Sequence, residues 1–83
     1  MLIDPDMSGC TLWFGDSVQH IKGTPIECID RIVNFFNSRS VDLTEKPIIS
    51  LDATGIGRAY ADYLDRLNIK YNEIHGRKFM GDI

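Results

Sequence analysis

Hydrophobic and polar positions follow two different periods along this chain. The opening residues, Met1-Leu2-Ile3-Asp4, form a short apolar run that stops at Pro5. After the turn Asp6-Met7-Ser8-Gly9, residues 10–14 are rich in β-forming side chains. Gly15-Asp16-Ser17 reads as a hairpin turn, and residues 18–22 alternate as a returning strand does. These signals predict three short strands in an antiparallel meander.

Beyond Gly23 the period becomes helical. Thr24 is a good N-cap, Pro25 suits the first helical position, and Glu27 completes a capping box. Ile26, Ile29, Val33 and Phe36 then fall on one helical face, widened by Ile32 and Phe35. Asn37-Ser38-Arg39-Ser40 ends the helix, and residues 41–46 form a polar connector, expected to be the mobile loop. Residues 48–51 predict a strand covered on both faces. After Asp52-Ala53-Thr54-Gly55-Ile56-Gly57 a second helix is expected. Its core face comprises Ala59, Tyr60, Tyr63, Leu64 and Leu67, and its stop is Asn68. Residues 69–74 read as a last strand that ends at His75-Gly76.

The order is therefore βββαβαβ. A strand, crossover helix and parallel strand wind right-handedly, which puts the last two strands side by side. The economical sheet has the first strand at its centre, the meander on one side and the fourth and fifth strands on the other. The first and fourth strands then run parallel, and their C-terminal ends share the edge where such sheets usually bind ligands.

Composition narrows the class. At 83 residues and 43% hydrophobic, the chain is sized for one small domain. No apolar run nears the ~20 residues that span a bilayer, and the start lacks the basic and apolar regions of a signal peptide. The expected location is cytoplasmic, with no membrane partner. Nine Lys+Arg against twelve Asp+Glu leave a net charge of −3, which argues against a broad nucleic-acid face but permits a small metal-bridged contact. Cys10 and Cys28 lack metal-site spacing and read as reduced packing residues rather than as zinc ligands or a disulfide. Oligomeric state stays open: a core this small is compatible with a homodimer built through strand edges or helix faces.

The chemistry predicted at the shared edge rests on Asp4 and Asp52, each at the end of its strand. Two close carboxylates repel unless a cation joins them. Mg²⁺ is typically held by one or two carboxylates together with substrate phosphate. The pair is thus a candidate Mg²⁺ or Mn²⁺ site for phosphodiester chemistry, with Asp6 and Glu27 as further oxygen donors. The plainer reading makes Asp4 and Asp52 turn caps, Asp6 a turn residue and Glu27 a capping-box partner.

The segment Ile3-Asp4-Pro5-Asp6-Met7-Ser8-Gly9-Cys10-Thr11-Leu12 resembles the first strand and turn of Ruv-type Holliday-junction resolvases. The segment from Ile48 through Asp52-Ala53-Thr54-Gly55-Ile56-Gly57 resembles the fourth strand of phage terminase large-subunit nuclease domains. Both families belong to the ribonuclease-H-like superfamily. The resemblance implies one ribonuclease-H-like domain over residues 1–83, a five-stranded mixed sheet with two packed helices. It also implies Asp4 and Asp52 as catalytic metal ligands, Gly55 and Gly57 shaping a turn, and metal-dependent cleavage of DNA. Two departures stand out. Asp6 replaces the usual Gly, and the late carboxylates of both families have only Asp82 as a counterpart. The expectation is a minimal or truncated domain without the final catalytic helix.

Other readings stay open beside this one. Gly55-Ile56-Gly57 at a helix start is either a phosphate cradle or a tight packing turn. His75, Arg77 and Lys78 are either phosphate contacts or an exposed polar tail. His20 reads as a strand-surface residue. Trp13 and Phe14 are expected to pack in the sheet; an exposed Trp13 would instead mark a protein-binding surface. The rival function is therefore a non-catalytic ribonuclease-H-like protein that engages a host or viral protein partner.

Overall fold

The computed structural model describes residues 1–74. Five strands, β1 (Leu2–Pro5), β2 (Gly9–Phe14), β3 (Ser17–Lys22), β4 (Ile49–Asp52) and β5 (Tyr71–Ile74), make one mixed sheet in the order β3-β2-β1-β4-β5. The pairs β1–β2 and β2–β3 are antiparallel, whereas β1–β4 and β4–β5 are parallel. Helices α1 (Pro25–Asn37) and α2 (Gly57–Arg66) supply the two crossovers. The fold is the α/β class with the strand order and directions that the sequence requires.

Local chemistry accounts for most boundaries. The Thr24 hydroxyl accepts the Glu27 N–H, and the Glu27 carboxylate accepts the Thr24 N–H, so both halves of the capping box are present. Gly15, at φ 59°, takes the first central position of the two-residue turn that closes the β2–β3 hairpin. Asn68 ends α2 with φ 59°, a left-handed conformation that an amide side chain tolerates.

Both helices lie on one face of the sheet. Phe14 meets Phe35 and Phe36 of α1 edge to face, at centroid distances of 6.0 and 6.2 Å. Tyr63 of α2 donates to the Asp30 carboxylate of α1 at 2.8 Å. Between helices and sheet, Ile3, Leu12, Ile49 and Leu51 pack with Ile29, Ile32, Phe36, Ala61 and Leu64. Cys10 and Cys28 are free thiols inside this core, and burial pushes the Cys10 thiol up to about 12.

Several expectations need correction. Ile26 lies outside the α1 core stripe and is 52% exposed, while Cys28 is buried in its stead and Ile32 is buried as expected. On α2 the buried set is Gly57, Tyr60, Ala61 and Leu64; Ala59 and Leu67 are exposed. The α2 stripe is rotated because Gly57 lets the first turn sit directly against β4. The connector 41–46 is pinned rather than loose: Leu43 is buried and its carbonyl accepts the Lys70 N–H. Strand β4 is covered on one face only among the described residues, with Ser50 and Asp52 half-buried on the other. Phe14 packs against α1, yet it and Trp13 remain 46% and 44% exposed.

Candidate functional site

Strand alternation sets the site. Because Ile3 and Leu51 point into the helical core, Asp4 and Asp52 point to the opposite face. The parallel register aligns Leu2 with Ser50 and Ile3 with Leu51. One further step sets Asp4 beside Asp52, at the ~4.8 Å spacing of adjacent strands. Asp4 also faces Thr11, Thr11 faces His20, and Asp52 faces Ile74. A row His20–Thr11–Asp4–Asp52–Ile74 therefore crosses the face that carries no helix among the described residues.

The two acids differ in their partners. Asp52 Oδ1 accepts the Thr54 N–H at 3.1 Å and the Thr54 hydroxyl at 2.6 Å, a turn cap at the end of β4. Asp52 Oδ2 and both Asp4 oxygens make no hydrogen bond or ion pair with the described residues. Among the described residues, the site thus combines a capping carboxylate with one unengaged oxygen and a second carboxylate with no partner. Oxygen donors of this kind suit a hard divalent cation. Among the described residues, no group of three or more His, Cys, Asp or Glu side chains gathers to hold a metal.

Asp6 and Glu27 are engaged elsewhere. Asp6 Oδ1 accepts the N–H groups of Ser8 and Gly9 and the Ser8 hydroxyl, while Oδ2 meets His20 Nε2 at 2.9 Å. Chiefly the His20 contact, then the Ser8 N–H, lowers the Asp6 carboxyl to about 2. Glu27 serves the capping box, and the Thr24 N–H holds its carboxyl below the usual value.

The Asp6–His20 pairing was not legible in sequence, because His20 has no metal-spaced neighbour. The hairpin register brings it back across the sheet to the turn after β1. Ser8, His20 and Asp6 have the composition of a nucleophilic triad but not its geometry. Ser8 Oγ, at 3.4 Å, and Asp6 Oδ2 approach the same ring nitrogen, and the Ser8 hydroxyl donates to Asp6 itself. A proton relay needs base and orienting acid on opposite ring nitrogens.

The glycine turn is a packing device. A Cβ on Gly57 would stand 1.8 Å from the Asp52 carbonyl oxygen, so only glycine lets α2 start this close to β4. Gly55 reverses the chain at φ 55°, and its carbonyl accepts the Arg58 N–H. No side chain caps the start of α2. His75, Arg77, Lys78 and Asp82 lie outside the described residues.

No family model, curated protein or solved structure matches this chain. Among the described residues, no helix is long and apolar enough to cross a membrane.

Proposed function

We propose that Asp4 and Asp52 hold one Mg²⁺ or Mn²⁺ ion and that the chain is a minimal nuclease-like domain for metal-dependent hydrolysis of DNA phosphodiesters. The observation that carries this reading is the β1–β4 register, which aligns two strand-end acids at the centre of the sheet with Asp4 free of any described partner. A cation held there supplies Lewis-acid polarisation of a phosphate and activation of water. Asp4 and Asp52 supply two oxygen donors, and the uncovered face leaves the remaining positions to water, phosphate or a further acid. A narrow contact of this kind is compatible with a net charge of −3.

The test is calorimetric titration of Mn²⁺ into wild type, Asp4→Asn and Asp52→Asn. Micromolar binding in the wild type, lost in both variants, supports the site. Cleavage assays on branched and linear DNA with Mg²⁺ or Mn²⁺ then test the reaction. Absence of metal binding in the wild type refutes the reading.

A second reading is favoured by a different observation. Val18, Trp13 and Leu2 stand abreast on the same uncovered face, with Val18 58% and Trp13 44% exposed. An apolar row of this kind suits a non-catalytic domain that binds a protein partner. Loss of partner capture in Trp13→Ala, with no metal binding in wild type, selects it.

A further inference from the structure

Strand β3 is an edge of the sheet, and its outer side is a row of backbone donors and acceptors with no described partner strand. Edge strands are normally guarded by proline, a bulge or charges along the strand. Over Ser17–Lys22 there is no proline, the pairing with β2 is continuous, and the only Lys, Arg, Asp or Glu is the terminal Lys22. Among the described residues the edge is long, regular and open.

Which backbone groups face outward follows from the turn. A two-residue hairpin closes on a hydrogen-bonded pair, here Phe14 with Ser17. Alternation makes Leu12–Gln19, Cys10–Ile21 and Ser8–Gly23 hydrogen-bonded too, and the Gly23 N–H does donate to the Ser8 carbonyl at 3.0 Å. The N–H and C=O groups of Val18, His20 and Lys22 therefore point away from β2.

We infer that β3 pairs antiparallel with β3 of a second copy, about a two-fold axis at Gln19, to give a ten-stranded sheet. This register sets Val18 opposite His20 of the second copy, and both present outward backbone groups, so the ladder closes twice by symmetry. It leaves the Gln19 pair non-hydrogen-bonded, as its inward-facing amide requires. It also sets Asp16, exposed in the turn, opposite Lys22 of the second copy, again twice. Opposite charges directly across strands stabilise a pairing and like charges disfavour it. Moving the axis to Val18 or to His20 keeps the backbone parity but separates Asp16 from Lys22. Charge complementarity thus selects the Gln19 register.

Both faces of the sheet gain from this pairing. On the uncovered face the apolar Trp13–Val18 row runs on into the second copy's His20. On the helical face Ser17 and Gln19 line a groove of about 340 Å³, with Phe14, Ile32 and Phe35 among its other walls. The second copy's strand extends the β3 side of that groove.

The test is sedimentation equilibrium of the full chain with three sets of variants. Wild type is expected at twice the 9.4 kDa chain mass. Val18→Pro removes an outward donor that the β2 ladder does not use, and is expected to be monomeric with an unchanged far-UV spectrum. Asp16→Lys and Lys22→Asp each turn two attractive pairs repulsive and weaken association about tenfold or more. The double swap Asp16→Lys/Lys22→Asp restores it. Isotope-filtered NMR of a mixed sample is expected to show Val18-to-His20 contacts between copies. A wild type that stays monomeric at millimolar concentration overturns the inference. So does a dimer indifferent to Val18→Pro, or one in which the double swap is no tighter than the single changes.

Discussion

The Tyr60 hydroxyl donates to the Gly9 carbonyl at 2.8 Å, a buried bond that ties the second helix to the start of the meander across fifty-one positions of sequence. The same oxygen accepts the Asp6 N–H at 2.9 Å. Tyr60→Phe therefore removes one bond without orphaning the carbonyl. The expected cost is about 1 kcal/mol, an amount typical of a single intramolecular hydrogen bond. Thermal unfolding should then fall by about 4–8 °C for a domain of this size. A fall beyond about 15 °C would mean that the hydroxyl holds more than this one contact.

Gly57→Ala is expected to be far more damaging. The new methyl would meet the backbone of Asp52 rather than a side chain that can move aside. Either α2 lifts from β4 or the turn carrying Asp52 is displaced, and the cost is about 3 kcal/mol or more. Denaturant unfolding monitored by circular dichroism checks it. A Gly55→Ala control separates the two effects, since a Cβ there meets open space and strains only the backbone.

Acid stability should carry the signature of Asp6. Its folded carboxyl lies near 2, below the ordinary 3.8, so it favours the folded state above about pH 4. That contribution disappears as pH falls from about 4 to about 2. The side chain is 43% exposed, so solvent screening keeps the effect small. Denaturation midpoints of wild type and Asp6→Asn are expected to separate less and less through this window as pH falls. A constant gap would show that ionisation of Asp6 adds nothing to folding stability.

The two thiols should be silent in the folded protein. Cys10 and Cys28 are fully buried, and the Cys10 thiol is raised to about 12, chiefly by desolvation. Ellman's reagent at pH 8 is expected to label neither until denaturant is added, whereupon both react. Rapid labelling under native conditions would reveal local opening between α1 and β2.

Much of this molecule is written locally. The β-rich runs, the Gly15-Asp16 turn, the Thr24–Glu27 box and the Asn68 stop are short-range signals, and each element they predict is present at nearly its expected bounds. Connection rules then set the strand order, because a parallel pair joined through a helix has one favoured hand. The alignment of Asp4 with Asp52 follows from that order, with strand alternation turning both acids away from the core.

What the sequence could not determine by itself was which way each stripe faces. Helical periodicity marks an apolar arc, but the sheet it meets decides where the arc is centred. Ile26 fits the period and still lies outside the contact, while Ala61 replaces Ala59 because Gly57 draws the start of α2 against β4. Only the tertiary structure brought His20 back to Asp6, since two antiparallel pairings had to be in register before those side chains met. Only it left one face of the sheet uncovered by the described residues, so that Trp13 and Val18 stand exposed on the same face as two acids. Local chemistry chooses elements one segment at a time, whereas facing and contact belong to the packed whole.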